Sequence, residues 1–85
     1  MKSVDIILPN YNSSNTIAST INSIFKQSYN NWHLIIVDDN SNQETKQLLS
    51  KYIKKKKITI HYLKKNKGAA YCRNLAIKKS KSYYL

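Results

Sequence analysis

Four short apolar runs alternate along the chain with three segments in which apolar residues recur every three or four positions. The runs predict β-strands and the periodic segments predict helices. Strands are predicted at 3–8, 32–37 and 58–63, with a fourth beginning at 83–85. Helices are predicted at about 15–28, from 43 to 52 or 54, and at 69–79. The order βαβαβαβ, with its fourth strand truncated, predicts an α/β fold with a parallel sheet, right-handed crossovers and helices over the sheet.

The chain has 85 residues, so we expect a single domain that spans residues 1–85. One cysteine excludes both an intrachain disulfide framework and a multi-cysteine zinc site. The longest apolar runs hold three or four residues, far fewer than the ~20 of a membrane-spanning helix. No apolar segment of signal-peptide length follows Lys2. These features predict a cytoplasmic protein.

Hydroxyl side chains precede the first two predicted helices. Ser13 or Ser14 is expected to cap the first helix, because serine oxygens accept the free N–H groups of a first turn. Ser41 and Glu44 have the spacing of a capping box at the start of the second helix.

Polar segments follow three of the predicted strands, at 9–12, 38–42 and 64–68. The carboxyl ends of parallel strands meet at one edge of the sheet, and open α/β sheets bind ligands outside that edge. The second segment alone contains half of the four acidic residues of the chain. This clustering predicts a functional site at the carboxyl edge.

The residue types at this edge suit a nucleotide. Tyr11 offers a ring on which a base can stack, and Asp38 and Asp39 can accept from a ring N–H or a ribose hydroxyl. Gly68 opens the third helix, where backbone N–H groups are expected to be free for phosphate, and Lys67 and Arg73 add positive charge. Neither a glycine-rich dinucleotide fingerprint nor a phosphate-loop motif is present.

Each of these residues also has a purely structural interpretation, which the sequence leaves open. Tyr11 could pack against the core, and Asp38 could end its strand or cap the next helix. Gly68 could serve only a turn with positive φ. Cys72 is expected to be a small buried apolar residue of the third helix.

Positive charge is concentrated in the second part of the chain. Residues 1–50 contain three lysines and four acids, whereas residues 51–85 contain eleven lysines, one arginine and no acid. One interpretation is a set of solvated lysines. The alternative is a non-enzymatic basic module that binds nucleic acid or an anionic membrane through residues 54–81. Nucleic acid is disfavoured, because its readers favour arginine over lysine.

Four segments resemble, in order and spacing, the motifs of family 2 nucleotide-sugar glycosyltransferases with the GT-A fold. IILPNYN at 6–12 resembles the opening (I/V)P-x-YN, and SIFKQSY at 23–29 resembles the S-(I/L)-x-Q-(T/S)-Y helix end. LIIVDDNS at 34–41 is similar to the strand and loop IIVDDxS, and NKGAAYCRN at 66–74 is similar to NxGxxxARN. The resemblance covers the whole chain.

This resemblance implies a Rossmann-like α/β/α sandwich, the nucleotide-binding half of a GT-A fold. The family transfers a sugar, with inversion, from a nucleotide-sugar donor, usually UDP-linked, to a sugar or lipid-linked acceptor, in glycan and polysaccharide synthesis. By resemblance, Pro9 and Tyr11 would lie against the uracil and Asp39 would accept from its ring N–H. Asp38 would shape the same loop.

The resemblance further implies that Lys67, Gly68 and Arg73 would lie along the nucleotide and its diphosphate. The Asp-x-Asp element that binds Mn²⁺ or Mg²⁺, and the catalytic base, would follow Leu85. We therefore expect no catalytic residue or metal ligand within the 85 residues, and no transferase activity from them alone. An unpaired fourth strand predicts self-association. Many members act at the inner membrane face, so peripheral binding to anionic lipid is also expected.

Overall fold

The computed structural model describes residues 4–80, which form three strands and three helices. In chain order they are β1 (Val4–Asn10), α1 (Ile17–Lys26), β2 (Trp32–Asp38), α2 (Gln43–Ser50), β3 (Ile58–Tyr62) and α3 (Ala69–Lys79). β2 lies between β1 and β3, and both pairings are parallel. The predicted parallel α/β arrangement is confirmed. The fourth strand predicted at 83–85, and the self-association attributed to it, lie outside the described residues.

The sheet separates two apolar layers, because successive side chains of a strand point to opposite faces. Leu34 and Ile36 of β2 pack with buried residues of α1 and α2 on one face. Ile35 and Val37 pack on the other face with Cys72 and Ala76 of α3. Helices therefore cover both faces, which explains why β2 is apolar at nearly every position.

β1 extends two residues beyond its predicted end. The prediction ended the strand before Pro9, but Pro9 pairs with Val37 and Asn10 pairs with Asp38. Among the described strands β1 lies at the sheet edge. A proline is tolerated there because its missing N–H removes no bond to the neighbouring strand. The extension brings Asn10 level with the end of β2.

Both serine caps were predicted wrongly. α1 begins after Thr16 without a side-chain cap, because the Ser13 hydroxyl donates to the side chain of Asn10. Asn42, rather than Ser41, caps α2, and its side chain accepts from the backbone N–H of Thr45 at 3.0 Å. The two serines instead contact residues at the ends of the strands.

α2 also ends earlier than predicted, at Ser50. The N–H of Tyr52 bonds to the carbonyl of Leu49 and that of Ile53 to the carbonyl of Ser50, so the chain tightens into turns. Leu49 is fully buried, and Leu48 and Tyr52 pack against the same cluster, as the periodicity predicted. Within residues 4–80, none of the helices combines the length and the apolar character needed to cross a bilayer.

Candidate functional site

The carboxyl ends of the three strands meet at one edge of the sheet, as the parallel order predicted. The N–H of Asp39 donates to the carbonyl of Asn10 at 2.8 Å. On the other side, the N–H of Leu63 donates to the carbonyl of Asp38 at 2.9 Å. The loops after β1, β2 and β3 therefore lie side by side.

Asp38 is fully buried at the end of β2, and its carboxylate accepts three hydrogen bonds. Its Oδ1 accepts from Asn10 Nδ2 at 2.9 Å and from Ser41 Oγ at 2.6 Å, while its Oδ2 accepts from the N–H of Ser41 at 3.0 Å. A buried carboxylate is stable only when its oxygens are satisfied in this way. Asp38 thus connects the end of β1 to the loop after β2.

Asn12 joins the same two loops from the β1 side. Its N–H donates to Ser41 Oγ at 2.8 Å, and its side-chain oxygen accepts from the N–H of Asn42 at 2.7 Å. Asn12 has φ 47° and Asn40 has φ 58°, in the left-handed region that asparagine tolerates better than most residues. The two loops form one hydrogen-bonded unit.

The side chain of Asp39 points toward the start of α3. Its Oδ1 accepts from the N–H of Lys67 at 2.6 Å and its Oδ2 accepts from the N–H of Gly68 at 2.9 Å. Asn66 Nδ2 donates to the carbonyl of Asp39 at 3.2 Å. Free N–H groups were predicted for the loop that opens α3, but those of Lys67 and Gly68 are not free for phosphate, because Asp39 accepts both.

A cavity of about 170 Å³ opens between these loops and α3. Its walls are formed by Pro9, Asn10, Tyr11, Asp39, Ala69 and Cys72. The surface that these residues present to the cavity is mostly apolar. Asp39 is the only acidic residue among them, and it is 4% exposed. The cavity combines largely apolar walls with one carboxylate.

Three of the residues predicted for the site, Pro9, Tyr11 and Asp39, line this cavity. The other four lie outside its lining. Asp38 is buried at the end of β2, Gly68 is the N-cap of α3, Lys67 is exposed just before it, and Arg73 is an exposed residue of α3. The Lys67 ammonium lies 5.7 Å from the centroid of the Tyr71 ring.

The sequence analysis missed three residues that line the cavity, Asn10, Ala69 and Cys72. Asn10 directly follows the strand proline, and its 6% exposure and its bond to Asp38 follow from the extended β1. Cys72 is fully buried and lines the cavity together with Asp39. Burial, reinforced by the negative charge of Asp39, raises the pKa of this thiol to about 11. Cys72 is therefore a protonated thiol at neutral pH rather than a nucleophile. Cys72 and Ala76, one turn apart and flanked by the partly buried Leu75, mark the buried face of α3.

A divalent cation does not fit the described part of the chain. Residues 4–80 contain no group of three or more histidine, cysteine or acidic side chains able to hold a metal ion. The two adjacent carboxylates already accept hydrogen bonds, three at Asp38 and two from backbone at Asp39. The expectation that a metal ligand lies beyond this segment stays a prediction.

Comparison with known proteins agrees with the fold. The family described as Glycosyl transferase family 2 matches residues 5–85. WfgD of Escherichia coli, a UDP-Glc:alpha-D-GlcNAc-diphosphoundecaprenol beta-1,3-glucosyltransferase, is 40% identical over 77 residues, or 88% of this chain and 29% of WfgD. TarP of Staphylococcus aureus (strain N315), a poly(ribitol-phosphate) beta-N-acetylglucosaminyltransferase, is 38% identical over 90 residues, covering 100% of this chain and 27% of TarP. The chain thus spans less than a third of either relative.

A solved structure is similar to this chain in both fold and sequence. The crystal structure of S. aureus TarS 1-349 in complex with UDP-GlcNAc superposes with a TM-score of 0.85 at 31% identity, over 95% of this chain and 24% of that one. The match of family, sequence and fold over nearly all residues establishes that the chain belongs to glycosyl transferase family 2.

Proposed function

We propose that residues 1–85 form the donor-binding half of the GT-A domain of an inverting glycosyltransferase, and that they bind the UDP part of a UDP-sugar. The observation that supports this most directly is the cavity itself, in which Tyr11 and Pro9 stand beside the Asp39 carboxylate. The similarity to TarS, which was crystallised with UDP-GlcNAc, supports the same class of donor.

The size of the cavity suits the base rather than the whole donor. Pockets that enclose drug-sized ligands occupy about 300–1,000 Å³, whereas this one measures about 170 Å³. A pyrimidine ring would fill it, with the ribose, the diphosphate and the sugar outside. Lys67 and Arg73, exposed at and after the start of α3, would then meet the diphosphate. The N–H groups of the first turn of α3 have no intrahelical acceptor and would serve the same anion.

The Asp39 carboxylate would select uracil. Its two oxygens accept the N–H groups of Lys67 and Gly68, and because a carboxylate has about four acceptor sites, capacity remains for a ligand. Uracil presents a ring N–H donor at N3, whereas cytosine presents a lone pair there, which a carboxylate repels. A buried acceptor that loses its partner discriminates strongly between such analogues.

The remaining steps of the reaction belong to residues outside the described segment. In an inverting transfer the acceptor hydroxyl attacks the anomeric carbon of the donor sugar while the bond to the diphosphate breaks. A base must take the hydroxyl proton, and a cation, where one is used, stabilises the leaving diphosphate. We propose that both come from chain beyond residue 85 and that the acceptor is a sugar or a lipid-linked sugar. The 85-residue chain alone would be inactive, and the protein would be cytoplasmic.

The test is a titration of the isotopically labelled chain with UDP and with CDP, followed by backbone amide NMR. We expect UDP to shift the amides of Tyr11, Asp39 and Cys72, and to bind at least tenfold more tightly than CDP. Asp39→Asn should abolish that preference, and Glu44→Gln, which alters an exposed carboxylate of α2, should preserve it. Equal binding of UDP and CDP by the unaltered chain would overturn the assignment of Asp39 to uracil.

Tyr11 allows a second, independent test of the base site. It is 55% exposed, so its ring is available to a ligand. Base–aromatic stacking is worth about 1–3 kcal/mol, so Tyr11→Ala should weaken UDP binding by about 5- to 150-fold. Tyr62→Ala, which removes a tyrosine outside the cavity lining, is the matched control. Equal losses in both variants would contradict stacking at Tyr11.

A further inference from the structure

A second surface lies at the amino ends of the strands, opposite the cavity. The segment after α1 and the segment after α2 meet there, at the start of β2. Lys57 provides the link: its carbonyl accepts from the N–H of Leu34 at 2.7 Å, and its ammonium lies 4.3 Å from the centroid of the Trp32 ring. Phe25, at the end of α1, packs edge-on against the same ring at 5.1 Å.

Lysines dominate this surface, which we call the basic edge and define by residues Lys26, Lys51 and Lys54–Lys57. All are exposed except Lys57, which is half-buried. Three of the four acids, Asp38, Asp39 and Glu44, lie near the opposite edge, at the end of β2 and the start of α2. Lys64, Lys65 and Lys67 also follow β3 at that opposite edge, but these three acids offset their charge, whereas only Asp5 lies near the basic edge.

Large apolar side chains are exposed within the same surface. Ile53 is 56% exposed and stands in the chain between Lys51 and the run of four lysines. Phe25 is 41% exposed and Tyr29 is 37% exposed, both in or just after the end of α1. Lysine alone indicates only a solvated surface, but lysine combined with exposed apolar groups is typical of a surface that meets a lipid headgroup layer.

We propose that the basic edge binds anionic lipid, with lysine ammoniums on the headgroups and Ile53 entering the interface. Clusters of four to eight basic residues are attracted to anionic bilayers, and their long side chains reach the headgroups while apolar neighbours enter the interface. Nucleic acid fits less well. The basic edge contains no arginine, and the Phe25 ring is engaged by Trp32 rather than free to stack on a base. The inference does not depend on the nucleotide site, which lies at the other edge.

The test is co-sedimentation of the chain with phosphatidylcholine vesicles, with and without about 30% phosphatidylglycerol. Binding should require the anionic lipid and should fall steeply as salt is raised, because screening shortens the range of the attraction. The double variant Lys55→Gln/Lys56→Gln should bind about 30-fold more weakly. Lys64→Gln/Lys65→Gln removes the same charge from an exposed loop at the opposite edge and should bind within threefold of the unaltered chain.

Ile53→Ser separates insertion from simple attraction. It should weaken binding to the anionic vesicles several-fold while leaving the salt dependence unchanged. If the two double-lysine variants lost the same affinity for anionic vesicles, the proposal would be overturned. Equal binding of the unaltered chain to neutral and anionic vesicles would also overturn it. Tighter binding to single-stranded RNA than to anionic vesicles at the same salt, lost in Lys55→Gln/Lys56→Gln, would replace lipid by nucleic acid as the partner.

Discussion

The carboxylate of Asp39 accepts the backbone N–H of Gly68 at 2.9 Å, across 29 positions of sequence. This contact fixes the start of α3 to the end of β2. Asp39 therefore has two roles in our account: it is the acceptor that faces the cavity, and it anchors one wall of the same cavity.

Replacing Asp39 by asparagine should loosen the start of α3 even without a ligand. The amide keeps one oxygen for the N–H groups of Lys67 and Gly68, but its NH₂ group opposes the other N–H. We expect the amides of Lys67 and Gly68 to exchange with solvent at least tenfold faster. Amide hydrogen exchange measured by NMR tests this, with Glu44→Gln as the control that leaves both rates unchanged. Unchanged exchange rates of these two amides in Asp39→Asn would show that the Asp39 carboxylate does not stabilise the start of α3.

Gly68 should tolerate no side chain without a cost in stability. It has φ 91° and ψ 159°, a conformation that is essentially restricted to glycine. An added Cβ would meet no atom within 4 Å, so the whole penalty would arise from the backbone. We expect Gly68→Ala to lower the free energy of unfolding by about 1–3 kcal/mol, as urea denaturation would measure.

A matched variant separates the effect of backbone strain at Gly68 from a general destabilisation of α3. Ala70→Gly places the opposite change two residues later, inside α3, where glycine costs about 1 kcal/mol relative to alanine. Both variants should destabilise the chain, but only Gly68→Ala should weaken the hydrogen bond to Asp39 and so accelerate exchange of the residue-68 amide. A Gly68→Ala variant of unaltered stability would contradict the strain argument.

Ser41→Ala should destabilise the loops at the carboxyl edge. The hydroxyl donates to the buried Asp38 carboxylate and accepts from the N–H of Asn12. Its removal leaves both groups short of a partner, at a cost of about 1–3 kcal/mol. The thermal midpoint should fall by roughly 4–8 °C for each kcal/mol. Ser19→Ala, at an exposed position of α1, should change the midpoint little.

The thiol of Cys72 should be unreactive at neutral pH in the folded chain. Burial and the neighbouring Asp39 carboxylate raise its pKa to about 11, so the thiolate forms only as the pH approaches that value. The rate of reaction with a thiol-specific reagent should therefore rise steeply above pH 9. In denaturant the same rise should occur at lower pH.

Asp39→Asn provides the control for this assignment. It removes the negative charge that opposes ionisation of Cys72, so the pKa should fall and the reaction at pH 8 should accelerate. A reaction profile of the folded chain centred near pH 9 or below would show that neither burial nor Asp39 governs the thiol.

The sequence predicted those features that depend on local pattern. The bounds of α3 agree with the prediction of 69–79, because a single glycine precedes a segment free of helix breakers. The clustering of Tyr11 and Asp39 followed from the rule that parallel strands end at one edge. Both predictions needed only the order of elements and the residues at their ends.

Two of the errors involve contacts between residues that are distant in sequence. Ser41 has the spacing of a helix cap, yet its hydroxyl bonds to Asp38 because β1 and Asn12 close over the same loop. The N–H groups of Lys67 and Gly68 are not free for phosphate, because Asp39, 28 and 29 positions away, accepts both. Spacing along one segment contains no information about which side chain a second segment supplies.

α3 supplies two of the cavity-lining residues, Ala69 and Cys72, while the other four come from the ends of β1 and β2. The cavity therefore exists only while the helix is docked on the sheet. Any excursion in which α3 separates from β1 and β2 abolishes the binding-competent state, so the apparent affinity for a ligand falls in proportion to the docked fraction. Conversely, a bound nucleotide would hold the helix in place and protect its amides, and nucleotide concentration would control the stability of this face of the protein.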